Sequence, residues 1–204
     1  VKIGYSAFSG CTNLTNVVLG GATELGDEVF LKTKITTIDL PGSVTKVGKF
    51  ALTTDNSIGY LGSIGNKTVT VNYLGTFEQY IKMTAKSTNN GSEYINGNKY
   101  TCYIITQYAK EFNFKKDALT DITVDMNLLD NQAVLPKYIF DDIKGIGHLT
   151  IVGVNVNKDS KSFNNCEIEK LTLKNARIEL KGFGKITNLQ CLEILGGNIN
   201  SNAF

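Results

Sequence analysis

A six-residue phrase recurs at a fixed interval at the start of this chain. Ile3-Gly4-Tyr5-Ser6-Ala7-Phe8, Leu25-Gly26-Asp27-Glu28-Val29-Phe30 and Val47-Gly48-Lys49-Phe50-Ala51-Leu52 all read aliphatic, Gly, two variable residues, a small or aliphatic residue, and a large apolar one. Their starts, at 3, 25 and 47, are 22 residues apart both times. A fixed period of this length signals stacked repeats, each too small to bury its own apolar face and so dependent on its neighbours. Such an architecture shifts the functional question from pockets to surfaces.

The residues after each phrase follow a second rule. Phe8 is followed by Leu14, Val17 and Leu19, and Phe30 by Ile35, Ile38 and Leu40, both Leu-x-x-Val-x-Leu in type. The last two alternate, which places them on one face of a short strand and the residues between them on the other. The glycine of each phrase suits a tight bend with positive φ, and the large apolar residue plugs the interior. Further copies start at Phe114 (Leu119, Ile122, Val124), Phe140 (Ile146, Leu149, Ile151), Phe163 (Ile168, Leu171, Leu173) and Phe183 (Leu189, Leu192, Ile194). With Phe8, Phe30, Leu52 and Phe204 they make eight expected plugs. The fold class expected is an α/β, β-rich stacked-repeat solenoid with a parallel sheet along one side.

Ala7-Phe8-Ser9-Gly10-Cys11-Thr12-Asn13-Leu14-Thr15-Asn16-Val17-Val18-Leu19 resembles the repeat of the BspA-like leucine-rich repeat family. Ile38-Asp39-Leu40-Pro41, leading to Val47-Gly48, is similar to that family's strand, proline and aliphatic-Gly bend. The resemblance covers residues 1–52 and 114–204. Between them, Tyr73-Leu74-Gly75-Thr76-Phe77-Glu78-Gln79-Tyr80 looks like an insert such proteins often carry. The resemblance implies a right-handed, secreted or cell-surface solenoid that binds other proteins or host surfaces, with no catalytic residues to carry over.

Residues 53–113 break the period and are expected to form a strand–helix–hairpin flap inserted between N-terminal repeats (1–52) and C-terminal repeats (114–204). Residues 53–66 read as a loop. Val69 and Val71 fit a strand on the sheet. Thr76 and Gln79 fit a capping box, opening a helix from Phe77 to about Thr84 with Phe77, Tyr80 and Ile81 on one side. Asn96-Gly97, between Tyr94-Ile95 and Asn98-Lys99-Tyr100, is a hairpin signal.

Composition narrows the function. A net charge of +2 without a basic stripe gives no support for nucleic-acid binding. No apolar run is long enough to span a bilayer, and no signal peptide is legible. The chain opens on Val1 and ends on Phe204 within a repeat, so a fragment of a longer protein is expected. Cys11 and Cys166, each three residues after a plug, read as small buried hydrophobes; Cys191 and Cys102 are also expected unpaired, the alternative being one disulfide through Cys102. No close Cys or His pairing suggests a metal, and no cofactor is expected.

Candidate chemistry is sparse. His148 is the only histidine and could serve a hydrolase with Cys191 or a nearby Ser, but it falls on the outward side of a strand, where nothing excludes water. Asp141 and Asp142 with Asp159 could hold calcium but fit turn residues better. Gly20-Gly21 and Gly196-Gly197 lack the Lys-Ser/Thr ending of a phosphate loop. Asn13, Asn66 and Asn90 match glycan-acceptor spacing. What remains is the outward strand face: Thr15, Asn16, Thr36, Thr37, Asp39, Thr120, Asp121, Thr123, His148, Thr150, Glu169, Lys170, Thr172, Gln190 and Glu193. Strands about 4.8 Å apart would present these as a grid for a protein or glycan ligand on a host or extracellular surface. The function expected is non-catalytic binding or adhesion at the cell surface or outside the cell. The alternatives are a structural spacer and, less favoured, a hydrolase.

Overall fold

The computed structural model describes residues 1–54, 68–88, 93–95, 98–100, 110–125, 140–153, 155–156, 163, 165–178, 183 and 186–200, with backbone alone over 84–88, 93–95, 98–100, 116 and 155–156. The chain divides into two compact units, Val1–Lys115 and Lys116–Phe204.

In the first unit, β1 (Lys2–Ile3), β2 (Glu24–Leu25), β3 (Thr37–Leu40), β4 (Lys46–Val47) and β5 (Thr70–Tyr73) precede helix α1 (Phe77–Thr88). Strands β6 (Glu93–Ile95), β7 (Asn98–Tyr100) and β8 (Glu111–Phe114) follow. Strands β1, β2 and β4 form one parallel ladder, Ile3 opposite Leu25 and Leu25 opposite Val47, so the 22-residue period of the sequence is the register of the sheet. Strands β3, β5 and β8 form a second parallel sheet, with Ile38 opposite Val71 and Val71 opposite Phe112.

The glycines of the repeated phrase have a different role from the one expected. Neither Gly4, Gly26 nor Gly48 has positive φ; the left-handed residues are Ser6, Glu28 and Phe50, two positions further on in each phrase. Glycine is required by close approach instead. A Cβ on Gly26 would lie 2.7 Å from the Gly4 carbonyl carbon and the Tyr5 nitrogen, and one on Gly48 would lie 2.5 Å from the Asp27 nitrogen. Each repeat rests its backbone on the one before it at this column. Backbone hydrogen bonds then close the stack, Gly26 N–H to Ile3 O at 2.8 Å, Gly48 N–H to Leu25 O at 2.8 Å and Ser6 N–H to Asp27 O at 2.8 Å.

A second left-handed position recurs two residues after the plugs, at Gly10, Lys32, Asp142 and Asn165. Asp and Asn tolerate that conformation better than Lys does. The plugs stack as expected within each unit. Phe8 lies parallel to Phe30 at 5.9 Å, and Phe140, Phe163 and Phe183 follow at 4.9 and 4.7 Å. Phe114 is an exception: as the register partner of Tyr73 on β8 it sits in a cluster with Tyr73, Phe77 and Tyr80 rather than in a plug column. Phe204 lies outside the described residues. Cys166 is fully buried, as its place after Phe163 suggests, whereas Cys11 is exposed because no described repeat covers the first turn. Cys191 is free and exposed, and Cys102 lies outside the described residues.

The middle segment contributes directly to the first unit's sheet. Strand β5 pairs with β3, in keeping with the strand read at Val69 and Val71. Thr76 and Gln79 make the reciprocal cap, Gln79 N–H donating to Thr76 Oγ1 at 3.2 Å and Thr76 N–H to Gln79 Oε1 at 2.9 Å. Helix α1 buries Phe77, Tyr80 and Ile81 but runs to Thr88 rather than Thr84, since no glycine or proline interrupts it before Gly91. Strands β6 and β7 pair antiparallel with Ile95 opposite Asn98, while Asn96 and Gly97 lie outside the described residues.

The second unit opens with a 3-10 turn, Lys116–Leu119, followed by β9 (Asp121–Asp125), β10 (Ile146–Val152), β11 (Asn155–Val156), β12 (Cys166–Ile178), β13 (Ile186–Thr187) and β14 (Cys191–Ile199). The parallel order β9–β10–β12–β14 puts Ile122, Leu149, Leu171 and Leu192 in one row and Val124, Ile151, Leu173 and Ile194 in the next. Strands β12 and β14 are longer than the short strands expected. Asn175, with φ of 51°, re-phases β12 so that Ala176 and Ile178 again point inward. In the first unit the stretch Asn16–Leu19 is assigned no strand, although Leu19 is buried. Just before it, Leu14 N–H to Cys11 O turns the chain, and Lys34 N–H to Leu14 O ties the following repeat to this one.

Three measurements test this packing. Gly26→Ala should destabilise by about 1–3 kcal/mol through enforced overpacking, whereas Gly4→Ala, whose Cβ meets nothing within 4 Å, should leave the urea midpoint unchanged. The Tyr73 hydroxyl is buried with no hydrogen-bond partner among the described residues, so Tyr73→Phe should gain about 1 kcal/mol in the same assay. Burial pushes the Cys166 thiol up to about 12, so under native conditions near pH 8 a maleimide should label Cys11 and Cys191 and reach Cys166 only after denaturation, read by peptide mass.

Candidate functional site: the outward face of the sheets

Because β-strand side chains alternate, fixing Ile122, Leu149, Leu171 and Leu192 inside fixes what stands outside. On the second unit the first outward row is Asp121, His148, Lys170 and Cys191, and the second is Thr123, Thr150, Thr172 and Glu193. The two rows are bonded together. The Thr172 hydroxyl donates to Glu193 Oε2 at 3.1 Å, leaving its oxygen to accept from His148 Nε2–H at 2.9 Å. Thr150 Oγ1 lies 3.3 Å from the same nitrogen, and His148 Nδ1 faces Asp121 Oδ1 at 3.5 Å. Lys170 Nζ reaches Glu193 at 3.6 Å. One connected polar group therefore spans four strands.

The expected face residues divide by accessibility. Asp121, Thr120, Thr123, Glu169 and Gln190 are exposed, and His148, Lys170 and Glu193 are half-buried. Thr150 and Thr172 are only 6% and 2% exposed, so they hold their neighbours in place from below rather than presenting a surface themselves. The three-residue step from buried Ile168 to buried Leu171 leaves Glu169 and Lys170 side by side on the outside. His148 and Cys191 are not brought together, since β12 lies between their strands and two strand spacings come to roughly 9–10 Å. Asp142 accepts from Asn165 Nδ2 at 2.8 Å, a turn-to-turn link, while Asp159 lies outside the described residues.

On the first unit the outward side of β3 carries Thr37 and Asp39, both exposed, with Thr15, Asn16 and Thr36 exposed nearby. Asp39 accepts from Asn72 Nδ2 at 2.9 Å, and Asn72 Oδ1 accepts from Asn113 Nδ2 at 3.2 Å, an amide ladder along three register partners. Sequence reasoning missed Asn72 and Asn113 by treating 53–113 as an insertion. The alternation Val69, Val71, Tyr73 around them was the available signal.

Two short ladders, two parallel sheets and a single α-helix among the described residues make a β-rich repeat fold. No curated protein and no solved structure shows significant similarity to the chain. The BspA-type leucine-rich repeat region, however, matches in six copies across residues 1–100 and 107–204. Those spans contain the stacked phrases, the plugs and both outward faces, and the chain belongs to the BspA-type leucine-rich repeat family, whose repeats are protein-interaction modules.

Proposed function

We propose that this chain is a non-catalytic binding module, displayed at a cell surface or secreted, that engages a protein or glycan on a host or extracellular surface through the outward faces of its sheets. In this reading the repeats wind as a right-handed leucine-rich repeat solenoid, and the segment 77–100, carried between β5 and β8, is able to make a second contact. The observation that carries the reading is the cross-strand polar group of Asp121, His148, Thr172 and Glu193. Side chains already ordered by their neighbours lose little freedom when a partner arrives, which makes such a face an inexpensive one to bind. Separation disfavours the hydrolase alternative. His148 stands on β10 and Cys191 on β14, with β12 between them, too far apart for the thiol to give its proton to the imidazole.

Extracellular-matrix protein and glycan arrays probed with the labelled chain test this reading. Glu169→Lys with Gln190→Lys, both at exposed positions, should weaken any binding at least tenfold while leaving the melting temperature within a degree or two, since such positions contribute about 0.5 kcal/mol or less; Glu193→Lys should lower the melting temperature as well, because it strips Thr172 and Lys170 of their partner. Binding that survives both changes but vanishes with Glu78→Lys and Lys82→Glu, on the exposed side of α1, would move the site to that helix. Silence on every array would favour a structural spacer.

A further inference from the structure

His148 is flanked on both sides within the second unit. Its strand, β10, lies between β9 and β12, and its own N–H donates to Thr120 O at 2.9 Å. The protons of the polar group around its ring can be placed, because one member of that group can only accept. An ionised carboxylate has no proton to give, so the bond between Thr172 and Glu193 uses the single hydroxyl proton of Thr172. The Thr172 oxygen, 2.9 Å from His148 Nε2, is left as an acceptor, and the proton between them belongs to the ring. Thr150 Oγ1, at 3.3 Å, stands beside the same nitrogen as a second acceptor. A neutral imidazole carries one ring proton, and these partners hold it on Nε2.

The other nitrogen is thereby committed. Nδ1 of the neutral ring is a bare lone pair, and it faces Asp121 Oδ1 at 3.5 Å, one acceptor against another. Nothing is donated across that gap, and the Asp121 side chain is 73% exposed. A second proton on the ring reverses the contact. Nδ1–H then donates to the carboxylate, and the pair becomes a charge-assisted bond between register partners on β9 and β10. The other charged groups around the ring are directed elsewhere. Lys170, its register partner on β12, reaches Glu193 at 3.6 Å, and Glu193 is linked to the ring through Thr172. Asp117, in the turn before β9, and Glu169 on β12 are exposed to solvent.

We propose that His148 is a proton-operated latch on the outward face of the second unit. With one proton, held on Nε2 by Thr172 and Thr150, it leaves Asp121 loose; with two, it ties Asp121 to the sheet. Closure changes only the outward face, since Ile122, Leu149 and Leu171 lie on the other side of the same strands. Histidines change charge in the mildly acidic to neutral range, where carboxylates and lysines do not. Any effect of the latch on a partner rests on the reading of this face as the binding surface; the latch itself does not.

Nuclear magnetic resonance on the isotope-labelled whole chain tests this. His148 is the only histidine, so its two ring nitrogens give one unambiguous pair of signals. At alkaline pH the proton should be on Nε2. On acidification the Asp121 carboxyl carbon should move together with the ring signals, well above the pH of about 4 at which carboxylates themselves titrate, and His148→Gln should abolish that movement. Thr150→Val with Thr172→Val keeps the branched shape of two buried residues and removes both acceptors at Nε2. In that variant the ratio of the two neutral ring forms should swing at least tenfold toward a proton on Nδ1. The proposal is overturned if the neutral ring of the unaltered chain carries its proton on Nδ1, or if the Asp121 carbon is indifferent to the ring. It is overturned equally if the double variant folds by circular dichroism and keeps the proton on Nε2; should it not fold, the two readings on the unaltered chain decide alone. Silence on the binding arrays counts against the proposed function and not against the latch.

Discussion

Backbone laid on backbone at a column of glycines sets the spacing on which the first unit depends. Where Gly26 meets Gly4 and Gly48 meets Gly26, the approach is too close for any side chain. With the gap closed, the amides of one repeat reach the carbonyls of the next along most of the turn, as in the bonds from Phe8 to Val29, from Gly10 to Leu31 and from Glu28 to Lys49. Phe8 and Phe30 then stack at ring-contact distance because their main chains are already held apart by a fixed step. Hydrophobic burial supplies the larger free energy, but the glycine column decides the geometry in which that burial is realised.

The backbone between the column and the plugs carries a cost of its own. Ser6, Glu28 and Phe50 share the left-handed region, a conformation worth about 1–2 kcal/mol against a residue with a Cβ. Its recurrence at one position of all three phrases marks it as a property of the repeat path rather than of any residue. The stacked bonds on either side fix the dihedral angles, and whichever residue falls there must accept them.

The period, the plugs and the inward rows could be read from the sequence because they depend on spacing between like residues. The part played by Gly4, Gly26 and Gly48 could not: residue identity does not distinguish a glycine chosen for φ from one chosen for space. Glu28 and Phe50 gave no warning of positive φ, since neither type favours it. Strand extents were equally hidden, because β12 is long by virtue of what lies on both sides of it. At the candidate site, alternation put His148, Thr172 and Glu193 on the side of the strands opposite the aliphatic rows. Their mutual bonds, and the burial of Thr150 and Thr172, depend on side-chain reach across strands, which one strand's sequence does not contain.

The amide ladder of Asp39, Asn72 and Asn113 shows how such a protein can diversify. Its three members come from strands separated by long stretches of chain, yet they meet because the inward residues Ile38, Val71 and Phe112 hold the register. Substitution at an outward position leaves that register untouched, and extra residues in a turn are absorbed outside the sheet. A single residue inserted within a strand is different, since it would exchange inside for outside along the rest of that strand. Lineages of such repeats are therefore free to vary their turns in length and their outward faces in residue type, while strand length between the inward aliphatics is held constant. The interior fixes where each outward letter is written without constraining which letter it is.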